Sequence, residues 1–296
     1  ALEEALYGGM RLMNAKGASA VLMDAFSGEI VSLSSLPDFN PNNRPRPLTQ
    51  GDASDSALFN RAVQGVYELG SVFKAFTVAQ AMDLGLVEPD TLVDTKGPLR
   101  WGKHKISDYR DYGAQLSVEK VLIKSSNIGT ARLSLMIGAD LQKDFLDRLG
   151  LLQATPIEMI EGPTGRPQYP SNWSDISTMT ISYGHGISTS PVHLAAGYAA
   201  IVNGGTLVKP TVLKQPAAPR GARIISEKTS RHLRSMMRRV VTEGTAKMGD
   251  VPGYSVAGKT GTADKPSPQG GYYKDKVLAT FASFFPSTDP RYVLIV

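Results

Sequence analysis

The sequence contains no cysteine among its 296 residues. Disulfide bonds, cysteine nucleophiles and thiolate metal sites are therefore excluded, although the compartment is not fixed by this absence. No apolar run approaches the roughly 18 residues of a membrane-spanning helix, and no signal peptide is visible. The four histidines lack the His-Glu-x-x-His spacing of a zinc site. We predict no bound metal and no cofactor.

A strong excess of either charge is also lacking. The net charge of +5 and the pI of about 9.2 favour anionic neighbours only mildly. Basic residues are scattered apart from one group of four arginines, Arg231, Arg234, Arg238 and Arg239. Three of the four have helical spacing. We interpret this group as a solvated helix face rather than a docking surface, and we predict no nucleic-acid partner.

Hydrophobic periodicity predicts strands near both ends of the chain and helices between them. Strands are predicted at residues 18–24, 29–34, 254–260, 277–285 and 292–296. Helices are predicted at 2–13, 72–84, 117–124, 128–137, 141–149, 175–183, 191–202 and 227–241. If the terminal strands pair, the fold is of the α/β class in its α+β form, with one antiparallel five-stranded sheet flanked by helices and an inserted all-helical subdomain.

This pattern predicts one domain over residues 1–296. Its sheet part comes mainly from 1–70 and 205–296, and its helical part mainly from 71–204. The chain opens inside a predicted helix and stops in a predicted strand, so we expect both ends to be truncated.

Three short motifs that carry serine, lysine and asparagine follow one another: Ser71-Val72-Phe73-Lys74, Ser125-Ser126-Asn127 and Lys259-Thr260-Gly261-Thr262. A serine hydroxyl is a poor nucleophile unless a base lies within hydrogen-bond reach. Helical positions i and i+3 share a face, so Lys74 is expected to bring its amine to Ser71. The amine must be neutral to act as a base, and a nearby cation such as Lys259 would lower its pKa.

A lone Ser-x-x-Lys match is weak, because the chain contains a second one at Ser117 and Lys120. We interpret Ser117 as a helix N-cap followed by ordinary surface residues. Ser71 differs because a strongly apolar segment follows it and would bury the pair. Ser-x-Asn and Lys-Thr-Gly each occur once, so the ordered set is much more specific than any single motif.

The set is the signature of penicillin-binding proteins and class A β-lactamases. The chain resembles the transpeptidase domain of class B penicillin-binding proteins over nearly its whole length. The matching segments are Asn60-Arg61-Ala62, residues 70–74, 124–129 and 258–263, and Ser182-Tyr183-Gly184-His185-Gly186. The Lys-Ser-Ser-Asn and Tyr-Gly-x-Gly forms are more similar to the division-specific, septal branch. We interpret His185 as a packing residue.

The resemblance implies a role for each motif residue. Ser71 is the acylated nucleophile, Lys74 its base and Lys259 a positive charge. Ser125 relays a proton to the leaving amine, while Asn127 holds the substrate amide and Lys74. Two further residues, Thr260 and Thr262, bind the terminal carboxylate of the donor, and the backbone N–H groups of Ser71 and Thr262 form the oxyanion hole. Gly261 lets a substrate backbone lie close to the strand.

The resemblance also implies a penicillin-binding protein/serine β-lactamase-like fold and a peptidoglycan D,D-transpeptidase of septal wall synthesis. Its partners would be stem peptides ending in D-Ala-D-Ala, β-lactam antibiotics and, in the full-length protein, glycan-polymerising and division proteins. The location would be the periplasmic face of the inner membrane, with the anchoring helix outside this chain.

Several alternatives stay open. A serine β-lactamase would use the same acylation residues and add a base for water; the Glu-x-x-Leu-Asn run of class A enzymes is absent, but Glu158 and Glu161 lie in a suitable region. A D,D-carboxypeptidase would differ only in passing the acyl group to water. A β-lactam sensor or an inactive division scaffold is the non-enzymatic alternative, although an inactive protein should have lost Ser71, Lys74 or Lys259.

Overall fold

A single antiparallel sheet runs through the protein. The structure, a computed structural model, describes residues 1–155, 157–215, 221–267 and 270–296. The five strands are β1 (Ala18–Asp24), β2 (Ile30–Leu36), β7 (Ala257–Pro266), β8 (Tyr272–Phe285) and β9 (Tyr292–Ile295), and their spatial order is β2-β1-β9-β8-β7. The two ends of the chain therefore meet at the β1–β9 pair, and β7 forms an edge.

Eight α-helices are present in the described residues. They are α1 (Leu2–Leu12), α2 (Lys74–Asp83), α3 (Val118–Lys124), α4 (Asn127–Ile137), α5 (Ala139–Arg148), α6 (Asp175–Ser182), α7 (Pro191–Val202) and α8 (Glu227–Thr242). Because side chains alternate between the faces of a strand, β1 buries Ala20 under α1 and turns Val21 and Met23 into the main core with α7 and α8. None of the described helices is long and apolar enough to cross a membrane.

The centre of the helical part is α2, in which every residue from Lys74 to Met82 is buried. Phe76 stacks edge-to-face with both Phe73 and Tyr198, at ring-centroid distances of 5.4 and 5.5 Å. The Tyr198 hydroxyl donates to the backbone oxygen of Val72 at 2.8 Å. Helix α7, which packs on the sheet, thereby fixes the segment in front of α2.

The predicted fold class and its five-stranded antiparallel sheet are confirmed. Some boundaries were wrong. The helix predicted at 72–84 begins only at Lys74, because Gly70–Phe73 forms a tighter 3-10 turn. The strand predicted at 254–260 is shifted to Ala257–Pro266, and the next strand starts earlier, at Tyr272.

Two small two-stranded sheets in the helical half were not predicted. Strand β3 (Leu92–Asp94) pairs with β6 (Gln115–Ser117), and β4 (Leu99–Trp101) pairs with β5 (His104–Ile106). Each of these strands has three residues, too few for an alternating pattern to stand out in the sequence. Their importance lies in the segment that follows β5, which supports the second motif.

Candidate active site

Ser71 lies in the 3-10 turn Gly70–Phe73 that leads into α2. In a 3-10 helix the side chains at i and i+3 are eclipsed, so Ser71 and Lys74 project on one side. The backbone N–H of Lys74 donates to the oxygen of Ser71, which closes this turn. Ser71 is partly exposed, whereas the Lys74 side chain is completely buried. Ser71 is therefore accessible from the surface above a buried amine.

The backbone around Ser71 is held by three glycine contacts. Gly70 has φ +63°, and a Cβ there would lie 2.7 Å from the Thr262 carbonyl oxygen. A Cβ on Gly184 would lie 2.1 Å from the Gly70 oxygen, and one on Gly261 would lie 2.2 Å from the Leu69 oxygen. Gly261 thus leaves room for the turn before Ser71 to pack on β7, and the room for a substrate backbone expected from the sequence stays a prediction.

The Lys74 amine is the centre of a hydrogen-bond network. It donates to the backbone oxygen of Ser125 at 2.6 Å, to its Oγ at 3.1 Å and to Oδ1 of Asn127 at 2.7 Å. The hydroxyl of Ser71 makes no hydrogen bond to any described residue, so the direct contact with Lys74 expected from the sequence is not present. Catalytic hydrogen bonds often tighten only when substrate binds.

Lys259 approaches the same hydroxyl from the sheet. Its amine donates to Oγ of Ser125 at 2.9 Å and to the Thr260 backbone oxygen at 3.0 Å, and its side chain is fully buried. The Ser125 hydroxyl therefore lies between two lysine amines, one from α2 and one from β7. The structure brings the three motifs together at this hydroxyl.

Burial makes both amines weaker bases than a lysine in water. It lowers the pKa of Lys74 well below its ordinary value, the charge of Lys259 lowers it further, and Asp108 opposes the shift. Burial also lowers the pKa of Lys259 to about 7. Two positive charges that share one hydroxyl repel each other, so burial and the charge of Lys259 favour Lys74 as the neutral amine. A neutral amine has two N–H groups and a lone pair, so Lys74 would then donate to the backbone oxygen of Ser125 and to Asn127 and accept from the Ser125 hydroxyl.

Each residue of the second motif has a separate structural task. Ser125 ends α3 in the left-handed conformation, with φ 61°, which is uncommon for a residue with a side chain. Ser126 caps α4 by accepting the Gly129 N–H at 2.9 Å. Asn127 then begins α4. The sharp turn between two helices presents Ser125 and Asn127 to the same amine.

Asp108 is a supporting residue that the sequence analysis missed. Its carboxylate accepts the N–H groups of Asn127 and Ile128 and the hydroxyl of Ser126. The Asn127 side chain also donates to the Ser107 oxygen at 3.0 Å. Negative charge at the N-terminus of α4 complements the helix dipole, so Asp108 fixes the second motif. No local spacing pointed to it, because the contact spans 19 residues and depends on the β4–β5 hairpin.

The third motif occupies the free edge of the sheet. Along β7, Lys259 and Gly261 point inwards and Thr262 is exposed. The Thr260 hydroxyl shares a hydrogen bond of 2.7 Å with that of Thr245. An edge strand offers backbone groups to an extended peptide. The expected role of Thr260 and Thr262 in binding a carboxylate stays a prediction.

Other candidate residues lie outside this network. The Ser117 side chain accepts the N–H of Lys120, which confirms its interpretation as an N-cap. Glu158 accepts from the hydroxyl of Thr211 at 3.0 Å and from the N–H of Val212, so its carboxylate is engaged beside the β1–β2 turn.

The arginine group on α8 is engaged in ion pairs and backbone contacts within the protein. Arg231 pairs with Glu227, Arg238 with Asp250 and Arg239 with Glu243. Arg234 donates to the Val202 backbone oxygen at 3.4 Å. Arg231 is exposed and the other three arginines are partly exposed.

The comparisons with known proteins agree with this geometry. The family model of the penicillin binding protein transpeptidase domain matches residues 18–296. The probable peptidoglycan D,D-transpeptidase FtsI of Caulobacter vibrioides is 36% identical over 100% of this chain and 51% of its own length. The peptidoglycan D,D-transpeptidase FtsI of Escherichia coli K12 is 33% identical over 95% of this chain and 47% of its own. The chain thus spans about half the length of these curated relatives.

A solved structure is similar throughout. The TP domain of Burkholderia pseudomallei penicillin-binding protein 3, in its apo form, superimposes with a TM-score of 0.87 at 33% identity. The superposition covers 99% of this chain and 82% of that one. The likeness therefore includes all three motif-bearing elements and not the sheet alone.

Proposed function

Since the chain belongs to the penicillin-binding protein transpeptidase domain family, we propose that it is a peptidoglycan D,D-transpeptidase that acts through an acyl-enzyme on Ser71. The observation that carries this proposal is the convergence of Lys74 and Lys259 on the Ser125 hydroxyl, beside a free Ser71. A fold alone does not specify chemistry, whereas this arrangement supplies a nucleophile, a weak base and a proton relay.

Acylation proceeds from these positions. The hydroxyl oxygen of Ser71 attacks the carbonyl carbon of the penultimate D-alanine, and its proton passes to the neutral Lys74 amine. The adjacent backbone N–H groups of Ser71 and Thr262 stabilise the oxyanion. The peptide C–N bond then breaks, and Ser125 passes a proton from the lysine pair to the departing D-alanine amine.

Transfer to the acceptor reverses these roles. The acceptor amine attacks the ester carbon, a new C–N bond forms and the Ser71 oxygen leaves. The amine's surplus proton returns through Ser125 and Lys74, so Ser71 regains its hydroxyl. A β-lactam follows the first half only, because its ring nitrogen is the leaving group and stays tethered to the acyl part.

The biological setting is part of the same proposal. The FtsI and PenA relatives are named as probable peptidoglycan D,D-transpeptidases, which supports peptidoglycan as the substrate. The septal role and stem peptides that end in D-Ala-D-Ala are the finer part of the proposal and rest on the motif forms of the sequence. Division and glycan-polymerising proteins, attachment to the inner membrane and a position on its periplasmic face belong to the full-length protein.

The test of the proposal is the site of acylation. After incubation with benzylpenicillin, intact-mass spectrometry is expected to show one adduct, and peptide mapping is expected to place it on Ser71. Ser71→Ala should abolish labelling, because it removes the partly exposed hydroxyl in the turn that leads into α2, above the buried Lys74 amine. Ser117→Ala is the matched control, since it removes the other Ser-x-x-Lys serine and should label at the rate of the unmodified protein. An adduct on Ser117, or no adduct on correctly folded protein, would contradict the proposal.

Replacing Lys259 is expected to shift the pH dependence of acylation. Its positive charge lowers the pKa of Lys74. Without that charge the pKa of Lys74 rises, a smaller fraction of the amine is neutral at pH 7, and the acidic limb of the acylation rate moves to higher pH. Both Lys259→Ala and the similarly shaped Lys259→Met should show the shift, measured as acylation rate against pH.

Lys265→Ala is the control for this shift. Lys265 lies on the same strand and carries the same charge, but it is exposed and pairs only at 3.9 Å with Asp52. Its removal should leave the acidic limb in place. A limb that stays fixed in both Lys259 variants would show that the two amines are not electrostatically coupled.

A further inference from the structure

Glu68 is a buried carboxylate that the proposed chemistry does not use. It is 8% exposed and lies three residues before Ser71. No lysine, arginine or histidine of the described residues lies within ion-pairing distance of it. Burying a charge without a counter-ion is costly unless hydrogen bonds compensate, so the carboxylate needs strong donors around it.

Two donors from distant segments meet this carboxylate. The Gly186 N–H donates to Oε1 at 2.9 Å. The Tyr272 hydroxyl donates to Oε2 at 3.0 Å and to Oε1 at 3.2 Å. Burial, and next the charge of Glu68, raise the pKa of Tyr272, which keeps its hydroxyl protonated as a donor. One side chain thus joins the Ser71 segment to the turn after α6 and to the β7–β8 hairpin.

The hairpin contact bears on the substrate strand. Tyr272 begins β8 and lies opposite Pro266, at the outer end of β7. The inner part of β7 is already fixed, because Gly261 packs on the Leu69 oxygen. The ladder is irregular between Asp264 and Pro266, so regular pairing with β8 is interrupted at the outer end of β7. Glu68 supplies the second attachment.

The charge of Glu68 also acts on a nearby histidine, His185. The His185 ring lies between Tyr183 and Tyr272, at centroid distances of 5.5 and 5.9 Å. Burial lowers the pKa of His185, Glu68 and then Asp264 raise it, and Lys74 lowers it. His185 therefore reports on the charge of Glu68.

We propose that Glu68 is a positioning residue for acylation. It accepts hydrogen bonds from Tyr272 and Gly186 and thereby holds the outer end of β7 at a fixed position relative to Ser71. It touches neither substrate nor the reacting atoms. Its effect is exerted through the separation between Ser71 and the part of the edge strand that follows Thr262. This role rests on the proposed transpeptidase function and deepens it.

The test compares acylation rates of purified variants, with a fluorescent penicillin, at a temperature where all are folded. Glu68→Leu removes the carboxylate that accepts from both donors, and Tyr272→Phe removes one donor but keeps the ring beside His185. Each is expected to slow acylation roughly ten- to hundredfold, the size of effect that a small misplacement of reacting groups produces. The double variant should be no slower than the slower single variant, because both changes break the same hydrogen-bonded contact between Glu68 and Tyr272.

Tyr273→Phe is the matched control. Tyr273 is the next residue on the hairpin, its ring lies under the Lys276 amine at 3.8 Å, and it makes no contact with Glu68. It should acylate at the unmodified rate. Normal rates in Glu68→Leu or Tyr272→Phe, or a double variant whose defect is the product of the two single defects, would contradict the proposed role of Glu68.

A second measurement is independent of acylation. The His185 pKa, followed by NMR titration and assigned with His185→Gln, should fall in Glu68→Gln, because a negative charge that favours imidazolium is lost. Tyr272→Phe retains that charge and should change the pKa less. An unchanged pKa in Glu68→Gln would overturn the inference. If the unmodified protein is never acylated, the proposed function fails. If it is acylated and the Glu68 and Tyr272 variants acylate at the same rate, only the positioning role of Glu68 is refuted.

Discussion

Lys74→Ala is expected to slow acylation of Ser71 by about 10²–10⁴-fold, the usual contribution of a general base. The substitution removes the buried amine that lies on the same side of the 3-10 turn as Ser71. This amine contacts both Ser125 and Asn127. Lys259 cannot replace it, because its amine reaches the Ser125 hydroxyl from the opposite side. The measurement is the second-order rate constant for labelling by penicillin.

The control is Lys103→Ala, which removes an exposed lysine from the turn between β4 and β5. Circular dichroism should confirm that the Lys74 variant is folded, since a fully buried side chain is truncated. Labelling of folded Lys74→Ala at the unmodified rate would show that another group takes the Ser71 proton. The pH profile would then identify that group by its own titration.

The penicilloyl adduct on Ser71 is expected to persist for many minutes or longer after excess drug is removed. Hydrolysis needs a second base that positions water, and the loss of one general base raises a barrier by roughly 3–5 kcal/mol, which corresponds to about 10²–10⁴-fold in rate. The carboxylate of Glu158, a candidate for that base, is hydrogen-bonded to Thr211 and Val212 instead. The tethered leaving amine also obstructs the acceptor.

Adduct lifetime is measured by intact-mass spectrometry over time. Complete hydrolysis within seconds would make the protein a β-lactamase, and Glu161→Gln would then test the remaining carboxylate of that region. A D,D-carboxypeptidase is distinguished by a donor peptide ending in D-Ala-D-Ala with and without an acceptor amine. A transpeptidase should form the cross-linked product, whereas a carboxypeptidase should release only the shortened donor.

The sequence determined much of the architecture because its signals are local. Strand β1 was predicted with its observed bounds, and so was α7, since alternation and helical periodicity depend only on neighbouring residues. The three motifs were recognisable for the same reason, as each is a short run with fixed residue types. Ser117 could be set aside because N-capping is also a local property.

Tertiary structure decided what those motifs do to one another. Ser71 and Lys74 lie on the same side of a 3-10 turn, which is held in place by Tyr198 and three glycine contacts. The supporting carboxylates of Asp108 and Glu68 meet their partners across 19 and more than 100 residues of chain. Burial and electrostatic coupling depend on every surrounding atom, so the lowered pKa of Lys74 arises first from its burial in the folded protein and is lowered further once the sheet brings Lys259 beside Ser125.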